Sequence, residues 1–323
     1  MPSTAHADSV PGCADLRILC LINQLDVLLA RQVQGFLYGE KQLPKVRLRL
    51  KKLSDTGYLY RLAYTYRRAA ETYKPGGSSP ALYTLSGKGW SYLRSLGYAV
   101  PRRLNATEKR ARKQLPLEHT VALNDLILLL TKLARTYPQI QIARLEHESS
   151  LKRNPVAVTF EGRRQLVIPD AWIDLRYPHP EQAGSRERAC FCIEVDRGTM
   201  HENSFKEKIR LSVPWSYHPY TERFGTELCQ ILWVTTASAQ RRDELLRWCA
   251  EELQKRSSDH ERGLFLFAFL DVERATEETL AFTPIWYEPF AETPKPLLSS
   301  PVPLSKEQRG RRYAPSPLWR SAL

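Results

Sequence analysis

Two short strings hold the residues best placed for chemistry. In Ile168-Pro169-Asp170-Ala171-Trp172-Ile173-Asp174-Leu175, strand alternation puts Ala171, Ile173 and Leu175 on one face and Asp170, Trp172 and Asp174 on the other. In Phe191-Cys192-Ile193-Glu194-Val195-Asp196, the first, third and fifth residues face one way, and Cys192, Glu194 and Asp196 the other. If the two strands are neighbours, Asp170 and Glu194 converge at one edge of a sheet. Crowded carboxylates repel, so they need a cation, a shared proton or a basic partner. Hard oxygen ligands suit Mg²⁺ or Mn²⁺, and such an ion activates water and offsets charge on a scissile phosphate. Asp170, Glu194 and Asp196 are therefore the candidate metal ligands. Lys206 and Lys208, a little downstream, are candidates to bring positive charge to the same place. Intramolecular ion pairs at solvated strand ends have the same residue pattern and are the plainer alternative.

A second set of residues is basic. Pro44 suits a first-turn position and opens a helix over Lys45–Asp55, stopped by Gly57. Val46, Leu50 and Leu53 fall at i, i+4 and i+7 and form its buried stripe. Lys45, Arg47, Arg49, Lys51 and Lys52 cover the rest. Two helices precede it, Leu16–Asn23 and an Asp26-capped Val27–Leu37. Strand-like stretches at Tyr58–Arg67 and Ala81–Leu85 follow, separated by the loop signal Lys74-Pro-Gly-Gly-Ser-Ser-Pro80. Ser86 then caps a helix to about Leu96. Three helices, a two-stranded wing and a closing helix read as a winged helix-turn-helix. Lys45–Asp55 is its reading helix, with Arg47 or Arg49 reaching guanine edges and the other basic groups contacting phosphate. Arg67 and Arg68 belong to the wing, against the adjacent DNA backbone.

The distribution of charge agrees with that reading. The chain has 323 residues and a net charge of +13. Residues 1–112 carry 19 Lys/Arg and 7 Asp/Glu, a net of +12, whereas the remainder carries 29 and 28, a net of +1. Charge confined to one third of a chain points to a polyanion-binding module, here for double-stranded DNA.

Beyond a polar, basic linker at 99–116, an apolar helix runs from Leu117 to Ala134 and is apolar on nearly every side, as a buried helix is. Strands are expected at Ile140–Glu148, Val156–Phe160, Gln165–Leu175, Ala189–Asp196, Leu228–Thr236 and Leu264–Leu270, with helices at Glu202–Val213 and Ala239–Gln254. The order, α-β-β-β-α-β-α-β, describes a mixed sheet with helices packed on it. The expected division is a flexible tail (1–15), the winged helix-turn-helix (16–98), the linker (99–116), an α/β domain (117–288) and a Pro-rich disordered tail (289–323).

Other chemistries find little support. No apolar run approaches the ~18 residues of a membrane span. The first twelve residues lack the layout of a secretory signal. The six cysteines include no Cys-x-x-Cys pair and read as free thiols in a reducing, cytoplasmic compartment. Ser86-Gly-Lys-Gly89 lacks the full phosphate-loop pattern, since Trp90 follows.

The order of elements in the second half resembles the PD-(D/E)-x-K nuclease core, a restriction-endonuclease-like α/β fold. The Pro-Asp is Pro169-Asp170, and Glu194-Val195-Asp196 occupies the (D/E)-x-K position, so Asp196 stands where the lysine belongs. Some such enzymes move the lysine onto the next helix, where Lys208 or Lys206 would serve. A broader resemblance covers about residues 16–250. The strings Val46-Arg-Leu-Arg-Leu-Lys-Lys-Leu-Ser-Asp-Thr-Gly57, Leu82-Tyr-Thr-Leu-Ser-Gly-Lys-Gly89, Leu117-Glu-His-Thr-Val-Ala-Leu-Asn-Asp125, Glu194-Val-Asp-Arg-Gly-Thr199, Phe205-Lys-Glu-Lys208 and Leu232-Trp-Val-Thr235 resemble the replication-relaxation family of plasmid and integrative-element proteins. That resemblance implies a role in replication, relaxation or transfer of a mobile element, with a relaxase or replication protein as partner and a homodimer as one arrangement. It leaves two readings open. One is a Mg²⁺-dependent endonuclease using Asp170, Glu194, Asp196 and Lys208. The other is a non-catalytic DNA-binding regulator or scaffold with a retired nuclease domain.

Overall fold

The computed structural model describes residues 10–39, 41–63, 80–100, 114–179, 185–255 and 259–298. They form a mixed α+β structure, and contacts divide them into two compact units between Asn124 and Asp125.

In the first unit, helix α1 (Cys13–Leu25) buries Ile18, Leu19, Leu21, Ile22 and Leu25. It starts before the expected Leu16, so residues 13–15 belong to a helix. Strand β1 (Leu28–Leu29) follows, then α2 (Ala30–Leu37), α3 (Leu43–Asp55), β2 (Leu59–Ala63), β3 (Ala81–Leu85) and α4 (Gly87–Ser95). Val46, Leu50 and Leu53 are the buried residues of α3, with Pro44 in its first turn. The strands pair in the order β1-β3-β2, both pairs antiparallel. Asp26 does not cap the second helix. Leu28 and Leu29 are buried and pair with Tyr83 and Leu82, which delays the helix to Ala30. Gln32 accepts the Leu29 N–H at 3.0 Å in place of Asp26.

Helix α5 (Gln114–Thr136) begins in this unit. Its Leu117 and Val121 join Val27, Leu29, Leu62 and Leu82 in one apolar cluster. Buried Asn124 donates to the carbonyls of Leu25 and Val27 at 3.1 and 2.8 Å, and Gln32 donates to Val121 O at 2.9 Å. The two Asn124 bonds add donors to carbonyls of the α1–β1 turn, where Leu25 O also accepts the Val27 N–H at 2.8 Å, and the Gln32 bond ties α2 to α5.

In the second unit the central sheet runs β10-β9-β8-β7-β4. Its strands are β4 (Gln141–His147), β7 (Ala171–Pro178), β8 (Arg186–Asp196), β9 (Gln230–Thr235) and β10 (Phe265–Phe269). β4, β7 and β8 pair antiparallel, while β9 and β10 run parallel to β8. β8 is buried from Cys190 to Asp196, which explains its near-continuous apolar run. A hairpin, β5 (Val156–Phe160) and β6 (Arg163–Val167), turns on Glu161 and Gly162, both at positive φ. The long strand expected at Gln165–Leu175 is broken between β6 and β7. Pro169 in the gap has no N–H to give a ladder.

Short α6 (Glu148–Leu151), α7 (Glu202–Trp215), α8 (His218–Phe224), α9 (Ala239–Leu253) and α10 (Glu277–Phe282) complete the unit. On one sheet face Trp172, Cys192, Trp233 and Phe267 meet Phe205 and Ile209 of α7, Phe224 of α8 and Trp248 of α9. Each such side chain contributes roughly 1.5–3 kcal/mol on burial. Trp172 stacks on Phe224 at 4.5 Å and donates to Tyr220 Oη at 3.0 Å, so its polar tip is satisfied. Residues 289–298, expected in the disordered tail, are tied to the preceding chain at Lys295 and Leu298, with Phe290–Thr293 and Pro296 exposed. Trp286 is fully buried and bridges to Lys295, and Leu298 is buried with its N–H on Ala281 O. A count of prolines does not register those two apolar anchors. Among the described residues no helix is long and apolar enough to cross a membrane.

Candidate functional site

The β7/β8 ladder pairs Ala171 with Ile193, and one further step sets Asp170 opposite Glu194. The Asp170 N–H still donates to Ile193 O at 3.0 Å, and its Oδ2 accepts the Val195 N–H at 2.8 Å. Asp170 is thereby fixed at the strand entrance by the strand that carries Glu194. Like charges facing each other across strands are destabilising. The cation that offsets them is Lys208, whose Nζ donates to Glu194 Oε2 at 2.8 Å. Phe205 and Ile209, both fully buried, pin α7 on either side of it. Its ammonium also stands 5.5 Å from the Trp233 ring, on the residue paired with Glu194 in β9.

Burial alone pushes the Lys208 pKa down. The carboxylates of Glu194, Asp170 and Glu148 outweigh it, and the pKa ends above the ordinary lysine value. Glu148 is the group that sequence reasoning missed. β4 pairs His147 with Ala171, so one step beyond both ladders Glu148, Asp170 and Glu194 fall in one row. The signal was an acidic residue at the end of the expected strand Ile140–Glu148, but its neighbours across the sheet are not visible in the linear order. Glu148 also forms an i,i+4 ion pair with Lys152.

Lys206 is not at this site. It donates to Glu202 and Glu251, each at 2.6 Å. One period of strand alternation separates Asp196 from Glu194, and their partners differ. Asp196, 2% exposed, accepts from Gly198 N at 2.9 Å, Thr235 Oγ1 at 3.0 Å and Arg241 Nε at 3.1 Å on Oδ2, and from Arg241 Nη2 at 3.3 Å on Oδ1. Arg241 also donates to Met200 O and pairs with Glu244. Asp196 thus ties the end of β8 to β9 and α9. Gly198 lies at φ 76°, a conformation that turns its N–H back onto Asp196, and an added Cβ would crowd Ala237 at 3.0 Å. Asp174, the other acid on this face of β7, is paired with Arg188 at 2.9 Å and Arg176 at 3.4 Å.

Mg²⁺ commonly takes one or two protein carboxylates and completes its shell with water and phosphate oxygens. Asp170 and Glu194 fit that pattern, and Asp196, spent on internal donors, does not. Among the described residues no three His, Cys, Asp or Glu groups are gathered to hold a metal ion.

The basic residues of α3 also divide. Lys45, Arg47, Lys51 and Lys52 are exposed, around a 69% exposed Leu48. Arg49 instead donates to the buried Asp15 of α1 at 2.7 Å, and Lys51 pairs with Asp55 at 2.6 Å. Arg67 and Arg68 lie outside the described residues. At Ser86-Gly-Lys-Gly89, Ser86 Oγ caps α4 and a Cβ on Gly89 would stand 2.3 Å from Tyr58 O, so the string serves packing.

The family model described as Replication-relaxation matches residues 19–221, well over half of the chain. No curated protein and no solved structure matches it.

Proposed function

The chain belongs to the replication-relaxation family, and from that premise we propose a DNA-binding accessory protein of plasmid or mobile-element replication, relaxation or transfer, whose second unit is a nuclease-like domain that cuts DNA with a divalent cation. The observation that carries the reading is the Lys208–Glu194 contact at 2.8 Å beside Asp170. A lysine on the helix after β8 answers the absence of one at position 196. The antiparallel run β4-β7-β8, followed by α7 and a β9 parallel to β8, supports the restriction-endonuclease-like assignment.

Bound Mg²⁺ or Mn²⁺ supplies Lewis-acid stabilisation of phosphoryl oxygen and a water of lowered pKa. Asp170 and Glu194 would hold it. Val195 N–H fixes the Asp170 carboxylate, and Glu194 holds the Lys208 ammonium where it offsets charge developing on phosphate. Helices α1–α3, the β1-β3-β2 sheet and the basic α3 support a winged helix-turn-helix that holds double-stranded DNA. Lys45, Arg47 and Lys52 contact it from the exposed face, and a relaxase or replication protein is the partner in the cytoplasm. The test is nicking of supercoiled plasmid with Mg²⁺: wild type cuts, and Asp170→Ala and Glu194→Ala lose at least ~100-fold while keeping DNA affinity. An inert wild type on supercoiled, linear and single-stranded DNA overturns the enzymatic part.

The locking of Asp196 by Arg241 favours a second reading, a retired nuclease used for regulation or scaffolding. Calorimetry with Mn²⁺ separates the two, because a retired site shows no heat that depends on Asp170 and Glu194.

A further inference from the structure

Between Glu148 and Asp170 the chain leaves the carboxylate–lysine cluster and returns to it, through α6, a turn and the β5–β6 hairpin. Val167, the last residue of that ladder, is three residues before Asp170, at most about 11 Å of extended chain. The hairpin also packs on α7, the helix that carries Lys208. Val158 is buried, and Val156, Phe160 and Val167 lie with it on the apolar cluster that contains Phe205 and Ile209. Alternation turns the opposite face outward. Thr159, Arg164 and Leu166 are exposed there, and Arg163 is exposed beside the turn.

This insertion is where the positive charge of the second part of the chain collects. Residues 149–169 carry four Lys/Arg and one Asp/Glu, a net of +3, whereas residues 113–323 as a whole carry a net of only +1. Lys152 is paired with Glu148. Elsewhere in the unit arginines are answered internally: Arg144 and Arg223 by Glu146, Arg176 and Arg188 by Asp174, Arg241 by Asp196 and Arg247 by Glu251. Arg153, Arg163 and Arg164 are exposed, and none of them makes an ion pair with another described residue. A guanidinium fork matches a phosphate, and duplex DNA offers one such charge per roughly 1.7 Å of its axis.

We propose that the β5–β6 hairpin is a second DNA contact, with Arg153, Arg163 and Arg164 on backbone phosphates beside the phosphodiester that Lys208 faces. The inference rests on reading the second unit as a DNA-acting domain, and it does not require that the domain cut. Three phosphate contacts set where the duplex lies on this unit, while the basic module at 1–112 supplies most of the affinity.

The experiment is fluorescence anisotropy of the full chain on a labelled duplex of about 24 base pairs and mixed sequence, from about 50 to 200 mM salt and without divalent cation. The doubly substituted Arg163→Ala, Arg164→Ala chain should lower the slope of log affinity against log salt by about 1.8, and adding Arg153→Ala by about 0.9 more. Arg163→Lys with Arg164→Lys should return most of the slope, because a phosphate contact needs the charge. Arg247→Ala removes an exposed guanidinium already held by Glu251 and should leave the slope unchanged. All four arginines are exposed, so urea unfolding midpoints should stay at the wild-type value. The proposal is overturned if the alanine variants keep the wild-type slope, if Arg247→Ala lowers it as much, or if the wild type does not bind the duplex. Plasmid nicking by the same proteins is scored separately. A slope that depends on the hairpin in a chain that never nicks keeps this proposal and ends the nuclease reading, and nicking with an unchanged slope does the reverse.

Discussion

Asp196 and Lys208 have separate places in the structure, the first paired with Arg241 and the second with Glu194. Asp196 holds the end of β8, and Lys208 supplies the charge. Two predictions follow from that division. Removing one partner of a buried ion pair leaves the other uncompensated, so Asp196→Ala should cost about 3–5 kcal/mol in urea unfolding. A variant that unfolds at the wild-type midpoint would mean that Arg241 does not depend on it. Lys208 has a folded pKa above its unfolded one, so its contribution to stability is fully present below the unfolded value and is lost as pH rises through the folded value. Its ammonium should therefore remain protonated, by nitrogen NMR of Nζ, from neutral pH past the ordinary lysine range. Strand alternation made Asp170 and Glu194 legible in the sequence, and the helix expected directly after pointed to Lys206 and Lys208. The fate of Asp196 was not, because Arg241 lies 45 residues away and reaches it only once α9 has packed. Glu148 was hidden for the same reason, since it comes near Lys208 only once β4 and β8 flank β7 in the sheet.

At the scale of elements, α3 shows how a periodic pattern yields its buried side more readily than its exposed one. Val46, Leu50 and Leu53 follow from spacing, and they are buried. Spacing does not tell that Arg49 turns inward to Asp15 while Lys45, Arg47 and Lys52 face outward. If α3 reads DNA, Lys45→Glu and Lys52→Glu should weaken binding across all sequences and lower the salt slope by about one each. Arg49→Ala should act through stability, on the order of 1 kcal/mol in a half-exposed pair. Fluorescence anisotropy at several salt concentrations, set beside urea unfolding, separates the two effects. The β-strands were legible by their apolar runs. The late start of α2 was not, because it depends on Leu28 and Leu29 pairing with β3, whereas the break at Pro169 follows from a missing N–H that the sequence does show.

At the scale of the whole molecule, nearly all of the excess charge sits in residues 1–112, while the carboxylate–lysine cluster lies in a nearly neutral remainder. On the proposed reading most of the DNA affinity belongs to the first part of the chain and cutting to the second, so the losses caused by α3 and by Lys208 should be separable. The most direct test is the rate of Mg²⁺-dependent nicking of supercoiled plasmid by Lys208→Met set against Lys206→Met, at DNA concentrations that saturate both. Lys206 is bound to Glu202 and Glu251, away from Glu194, so its variant should cut at close to the wild-type rate. Lys208→Met should lose at least ~100-fold. Equal rates from the two variants would contradict the assignment of Lys208 as the lysine of the site.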